Sequence, residues 1–425
     1  MESYKKSILK NGLRVLTVPV KNANSVSVLI LVGTGSKYEE KDINGMSHFL
    51  EHMFFKGTQK RPDTLKISET LDMIGGEYNA FTSKEVTGFW AKVDKKHTDV
   101  ALDWISDMFL NSKFEAEEIE REKGVVIEEL NMYLDSPRDY VSELFEDLLY
   151  KDQPAGWRIV GEKEHILAFN REKLIDYYKT HYSTHNTVVC VAGDITTQEV
   201  EKKFHEYFGA VEPSNAPAKV ATKEIQEKPE MLIHHKQTDQ THFCLGVRAF
   251  DMFSPKRFAL GLMSIILGGN MSSRLFISVR ERNGLAYYIH TSVDTTTDTG
   301  YLVTQAGIKN GSLEKAAELI LKEYRDIKKN GISERDLAKA KDYIRGKMHL
   351  SLDATDAQAS FYAMQEVMGE QVLTPHEKLE MIDKVTVEDV RKVAEEIFKD
   401  DRLNLSVIGN IEEAEKKKLE EILKI

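Results

Sequence analysis

Cysteine is nearly absent. The 425-residue chain has two, Cys190 and Cys244, each inside an apolar, strand-like run. Two isolated cysteines make neither a metal-binding spacing nor a disulfide framework, and they suit a reducing compartment. Long apolar runs are missing as well. The longest, near residues 26–32, is too short to span a bilayer. Residues 1–10 show no apolar h-region, no cleavage site and none of the Arg-rich, acid-poor character of a transit peptide. The expectation is a cytoplasmic protein with no membrane partner. Positive charge is in deficit: the formal net charge is −11, which disfavours a nucleic-acid partner. The acidic surplus is spread over many helices, as a solvated surface would spread it. With 41% hydrophobic and 30% charged residues, the composition excludes disorder as a global description. The length allows two or more domains with sizeable cores.

What is present is the run Gly45-Met46-Ser47-His48-Phe49-Leu50-Glu51-His52-Met53. On a helix, positions i and i+4 share a face. His48 and His52 can therefore point two imidazole nitrogens at one ion, with Glu51 flanking them. Zinc accepts imidazole nitrogen and carboxylate oxygen, and a catalytic zinc keeps one position open for water. A carboxylate beside that water can take its proton. The order is the inverse of His-Glu-x-x-His and is a known zinc peptidase motif. A lone histidine on an apolar helix face more often fills a core, and short patterns arise by chance. A third ligand must therefore be sought elsewhere. The candidate is Glu129, in a run that is charged at residues 121–123 and apolar from residue 125, as in a helix entering a core. Glu122, seven positions earlier, shares its face. Adjacent Glu128 leaves the choice open, and such glutamate pairs ordinarily form a solvated face.

His48-x-x-Glu51-His52, followed after 76 residues by Glu129, resembles the inverzincin peptidases, also called the pitrilysin or M16 family. The resemblance covers essentially the whole chain and is nearest to short bacterial members. It implies a Zn2+ cofactor held by His48, His52 and Glu129, with Glu51 as the base and Glu122 as a supporting residue. The family's pattern favours Glu129 over Glu128. In the second half, the run from Gly268 to Tyr287 resembles a family segment whose Arg and Tyr reach the zinc site; these would be Arg280 and Tyr287. A guanidinium and a phenol can donate to a carbonyl oxygen that becomes negative during attack. Judged on pattern alone, they read as a helix-end Arg and a half-buried strand Tyr. By the same resemblance, Asn79, Ala80 and Phe81 lie on an edge strand to which substrate adds as a further strand.

The implied fold is α+β: two homologous mixed α/β domains, each a mainly antiparallel sheet with helices on one face, forming a clamshell. Short bacterial members pair as homodimers around a chamber that admits peptides or unfolded segments. The function implied is a zinc-dependent endopeptidase. One rival is a catalytically silent scaffold or peptide-binding partner subunit. Such members lose ligands, and this chain keeps them all. A zinc hydrolase of small amides is the other rival, and the Asn79 strand argues against it.

Taken in order, an Asn-Gly turn at residues 10–13 joins two strands. A buried strand follows at 25–32, then the His48 helix and a helix at 63–73. Strands at 77–83 and 87–93 precede helices at 95–110, 115–133, 139–150 and 171–181 and a strand at 187–192. Residues 213–229, rich in Pro, Ala and charge, read as a linker between domains 1–212 and 230–425. The second domain repeats the first. Residues 188–195 parallel 403–411 and residues 134–137 parallel 352–355, at offsets of 216 and 218. Projected by 218, Glu129 falls on Lys347 and Glu122 on Ala340, so the second copy has no visible metal site. It reads as a cover that binds substrate. His234 and His235 are strand neighbours and so point to opposite faces.

Overall fold

The first sheet has six strands: β1 (Lys5–Ile8), β2 (Arg14–Pro19), β3 (Ser25–Val32), β4 (Glu77–Thr82), β5 (Thr87–Asp94) and β6 (Thr187–Gly193). Their order is β1-β2-β6-β3-β5-β4. The second has five: β7 (Glu230–His235), β8 (Gln240–Arg248), β9 (Ala286–Thr295), β10 (Gly300–Lys309) and β11 (Leu403–Gly409), in the order β7-β11-β8-β10-β9. With β1 set aside, the two orders correspond strand for strand. The single parallel pairing also recurs, β2 with β6 and β7 with β11. The internal repeat in the sequence is thus a repeat of topology. This computed structural model describes residues 4–425. Residues 1–3, part of the stretch read as lacking an apolar leader, lie outside the described residues. Among the described residues no helix is long and apolar enough to cross a membrane.

The chain forms two compact units. The first contains residues up to 130, 157–220 and 348–375; the second contains 131–156, 221–347 and 376–425. Each unit takes one helix from the opposite half of the sequence. Thr355–Val367 joins the first and Pro137–Tyr150 the second. In the first unit, Leu16, Leu29, Leu31, Val188 and Cys190 pack with Tyr362, Ala363 and Val367 of the incoming helix. Burying a side chain of this size contributes about 1.5–3 kcal/mol. Val28, Ile30, Val189 and Val191 point to the other face and are also fully buried. The helix Thr98–Asn111 packs on β3 and β5. Helices therefore cover both faces of this sheet, where cover on one face was expected. The physical reason is that β3 and β6 are apolar on both sides and each side needs its own cover. In the second unit, Val141, Phe145 and Leu149 pack with Cys244, Val303 and Ile408.

Pro137 stands at the first position of its helix, where its missing N–H costs nothing. It also ends the preceding helix, Ala116–Asp135.

The turn after β4 is locked from two sides. Ser83 N–H and Oγ–H both donate to Val86 O, at 2.8 and 2.9 Å. Lys37 N–H donates to Lys84 O at 2.8 Å. Beneath these bonds Lys37 Nζ meets Glu85 Oε1 at 2.9 Å, with side chains 1% and 3% exposed. Glu85 also meets Lys219 Nζ at 3.4 Å, so removing it withdraws a buried carboxylate from two lysines and strands positive charge. Glu85→Leu should destabilise the protein by about 3–5 kcal/mol. A urea titration reads this as a lowered midpoint, and a midpoint within error of the parent's would disprove the stranded-charge account.

Candidate metal centre

The His48 helix spans Met46–Met53 and starts at Gly45, whose φ is +99°. That left-handed backbone suits glycine, and a Cβ there would stand 2.4 Å from Val160 O. No side chain of the helix start caps it. Glu39 does so from outside, accepting from Gly45 N at 2.8 Å, Ser47 N at 2.7 Å and Asn44 Nδ2 at 3.0 Å. These include first-turn N–H groups with no partner inside the helix, and a carboxylate complements the positive end of its dipole. Burial pushes the Glu39 carboxyl up to about 6, although the same hydrogen bonds pull it down. Met46, Phe49, Leu50 and Met53 are all buried. Their helical spacing sets the rotation of the helix and turns His48 and His52 the same way.

Glu129 comes from the helix Ala116–Asp135. Its Oε1 lies 3.6 Å from His48 Nε2 and its Oε2 3.3 Å from His52 Nε2. One donor atom from each of the three residues falls within 4.8 Å of the others. Among the described residues this is the only His/Cys/Asp/Glu group so arranged. Glu128 is exposed on the same helix, so the geometry singles out Glu129. His52 Nδ1 bonds Glu122 Oε1 at 2.8 Å, and Glu122 Oε2 in turn meets Lys56 Nζ at 2.5 Å. In the neutral ring, a proton donated from Nδ1 to Glu122 leaves Nε2 as a lone pair on the Glu129 side. His48 Nδ1 is buried, with no hydrogen-bond partner among the described residues.

The cluster attracts positive charge. Burial alone would lower the His52 imidazolium, but Glu122 and Glu129 outweigh it and raise it to about 9. Bonds from His48 and His52 hold the Glu129 carboxyl well below the usual carboxylate range. Burial would raise Glu122, yet His52 and Lys56 bring it below its ordinary value. Glu51 behaves differently. Burial pushes its carboxyl up, and the Thr82 hydroxyl and the two imidazoles only partly offset this.

The first unit thus brings together His48, Glu51, His52, Glu122 and Glu129. Asn79, Ala80 and Phe81 lie on β4, the free edge of the first sheet. Asn79 is exposed, and its Oδ1 accepts from Ala80 N at 2.9 Å. Phe81 packs against the apolar cluster under the helix Thr355–Val367. Arg280 and Tyr287 lie in the second unit. The Arg280 guanidinium sits 4.8 Å from the Phe276 ring centroid, and Tyr287, on edge strand β9, is 75% exposed. Lys347 and Ala340, the projected counterparts of Glu129 and Glu122, fall on the helix Glu334–Ser351. Sequence reasoning passed over Glu39, Lys56 and Thr82. Of these only Lys56 carried a signal, four positions after His52.

Residues 14–163 match the family model described as Insulinase (Peptidase family M16). Residues 168–344 match the model described as Peptidase M16 inactive domain. An uncharacterized zinc protease of Bacillus subtilis is 35% identical over 397 residues, covering 93% of this chain and 96% of its own. This chain belongs to peptidase family M16. A second M16 relative, an uncharacterized zinc protease of Mycobacterium leprae, is 33% identical across 95% of this chain and 91% of its own. Among solved structures, a protease from Helicobacter pylori shares the M16 fold with a TM-score of 0.91 at 24% identity, covering 96% of this chain and all of that one. A structure from Pseudomonas fluorescens, titled peptidase M16 inactive domain, gives a TM-score of 0.88 at 18% identity over 96% of this chain and 98% of its own. The family model that spans His48, His52 and Glu129 is the first, and the word "inactive" belongs to the model that matches residues 168–344. That division agrees with Ala340, inside the second match, standing at the projected counterpart of Glu122.

Proposed function

We propose that this M16 protein is a zinc-dependent endopeptidase that hydrolyses peptides or unfolded segments. The observation that carries this is the convergence of His48, His52 and Glu129, from two separate helices, on donor atoms within 4.8 Å of one another. Two imidazole nitrogens and one carboxylate oxygen form a set that zinc takes in catalytic sites. When bound, zinc supplies an electrophile that polarises a carbonyl and makes water more acidic. Glu51 accepts the proton of the attacking water and returns it to the leaving amine. Its burial raises the carboxyl above its ordinary value, which makes it a better proton acceptor than an exposed glutamate. Glu122 fixes the ring of His52, and Lys56 holds Glu122. β4 is the free edge of the first sheet, where an extended peptide can add a strand by displacing Asn79 Oδ1 from the Ala80 N–H. Recognition of that kind reads backbone more than sequence. A homodimer in the cytoplasm is part of the same proposal and rests on family membership.

The test is metal content combined with cleavage of a panel of unstructured peptides. Zinc should co-purify with the chain, a chelator should stop cleavage, and added zinc should restore it. A metal-free chain inert to every peptide with and without zinc would favour a silent scaffold instead. Replacing Glu122 should loosen the metal without removing a ligand. Glu122→Gln is expected to lower zinc affinity by about 10- to 100-fold. Competition with a chromogenic chelator measures this, and an unchanged affinity would remove Glu122 from the support of His52.

A further inference from the structure

We propose that Thr82 is the positioning residue for the Glu51 carboxylate and that it ties the base to the strand on which substrate would lie. This rests on the endopeptidase reading above. The Thr82 hydroxyl donates to Glu51 Oε2. Thr82 is the last residue of β4, paired with Thr87 of β5. The terminal torsion of a glutamate is broad and poorly defined by sterics. A carboxylate that must receive a proton at one place and deliver it at another needs an external anchor. With Oε2 engaged by Thr82, Oε1 is the oxygen left for the proton. The bond also survives transfer: a carboxyl protonated on Oε1 still accepts from Thr82 at Oε2. The anchor therefore acts in both halves of the reaction.

Thr82 is itself well fixed. Its χ1 is restricted by the β-branch. The next residues form the turn locked by Ser83 and Val86, by the Lys37 N–H to Lys84 O bond and by the buried Lys37–Glu85 pair. On a strand, Ala80 and Thr82 share a face. Phe89, which pairs with Ala80, shows that face to be the one toward the His48 helix, because its ring meets Phe54 at 4.7 Å just past the helix end. A peptide aligned along the β4 edge is thereby set in register against a base held by the same strand. The charged pair at the turn then has a purpose beyond stability, which is to keep the anchor still.

The experiment compares Thr82→Val, Thr82→Ser and Glu51→Gln with the parent for zinc content, kcat and KM on one cleaved peptide. Valine keeps the branched shape and suits a strand, so it removes the hydroxyl alone. Thr82→Val is expected to lower kcat by roughly 10- to 100-fold, the range seen when outer partners of a site are lost. KM and zinc content should stay at parental values. Thr82→Ser should recover most of the loss. In the Glu51→Gln background, Thr82→Val should add little, since the group it positions is gone. Parental kcat in Thr82→Val, alongside a dead Glu51→Gln, overturns the positioning role and leaves the endopeptidase reading standing. So does a loss that serine fails to restore, or one that appears in KM or zinc content instead. Full activity in Glu51→Gln removes Glu51 as the base and overturns the Thr82 role with it, whereas no activity in the parent counts against the endopeptidase reading itself.

Discussion

Glu51→Gln should reduce peptide hydrolysis by about 10²- to 10⁴-fold, the usual contribution of a positioned base, with zinc content unchanged. Glutamine keeps the length and shape of the side chain, and its carbonyl oxygen still accepts the Thr82 hydroxyl. What it loses is the ability to take a proton. Glu51 is not among the three clustered donors, so the substitution separates chemistry from metal binding. The readouts are kcat on an unstructured peptide and metal analysis of the same preparation. Cleavage at the parental rate would mean that another group accepts the proton and that Glu51 is not the base. Loss of zinc together with activity would instead make Glu51 a ligand.

Glu129→Gln should remove the metal. Its two carboxylate oxygens face one imidazole each, at 3.6 and 3.3 Å. An amide offers one neutral oxygen, and its NH2 group would face a ring nitrogen. Losing an outer partner costs about 10- to 100-fold in metal affinity, so losing a direct ligand should cost more than about 100-fold. Glu128→Gln is the control, because Glu128 is exposed on the same helix. It should bind zinc and cleave peptide as the parent does. Equilibrium dialysis of the two variants decides the matter. If Glu128→Gln lost zinc and Glu129→Gln kept it, the cluster would be misassigned.

Local structure was readable wherever one pattern dominated. β3 runs over the predicted residues 25–32, because a run rich in Val, Leu and Ile ends at Gly33. The helix Arg171–His181 also agrees with expectation, opened by Asn170, whose side chain accepts from Lys173 N at 2.9 Å. The expected helix at 95–110 begins only at Thr98. Asp94 caps Lys96 N, and residues 95–97 form a tighter turn first. The repeat was visible as offsets of 216 and 218, yet the exchange of helices between units was not. Nothing in the sequence of residues 137–150 or 355–367 says which sheet will receive its apolar face.

The sequence alone determined the helix that carries the two histidines and the shared direction of their side chains. His48, Glu51 and His52 are set by helical periodicity, which acts over one turn and is written in the spacing. The sequence also puts Lys347, which offers no carboxylate, at the projected counterpart of Glu129. Periodicity left Glu128 and Glu129 open, with the family's pattern favouring Glu129, and the tertiary structure sets Glu129 against the two imidazoles, because that depends on how one helix is rotated against another. Only the tertiary structure decided the cap from Glu39, the Lys37–Glu85 pair and the Thr82 bond to Glu51. Each joins residues from different elements, where no sequence period relates them and where a charged or polar residue looks like any solvated one until the chain has folded.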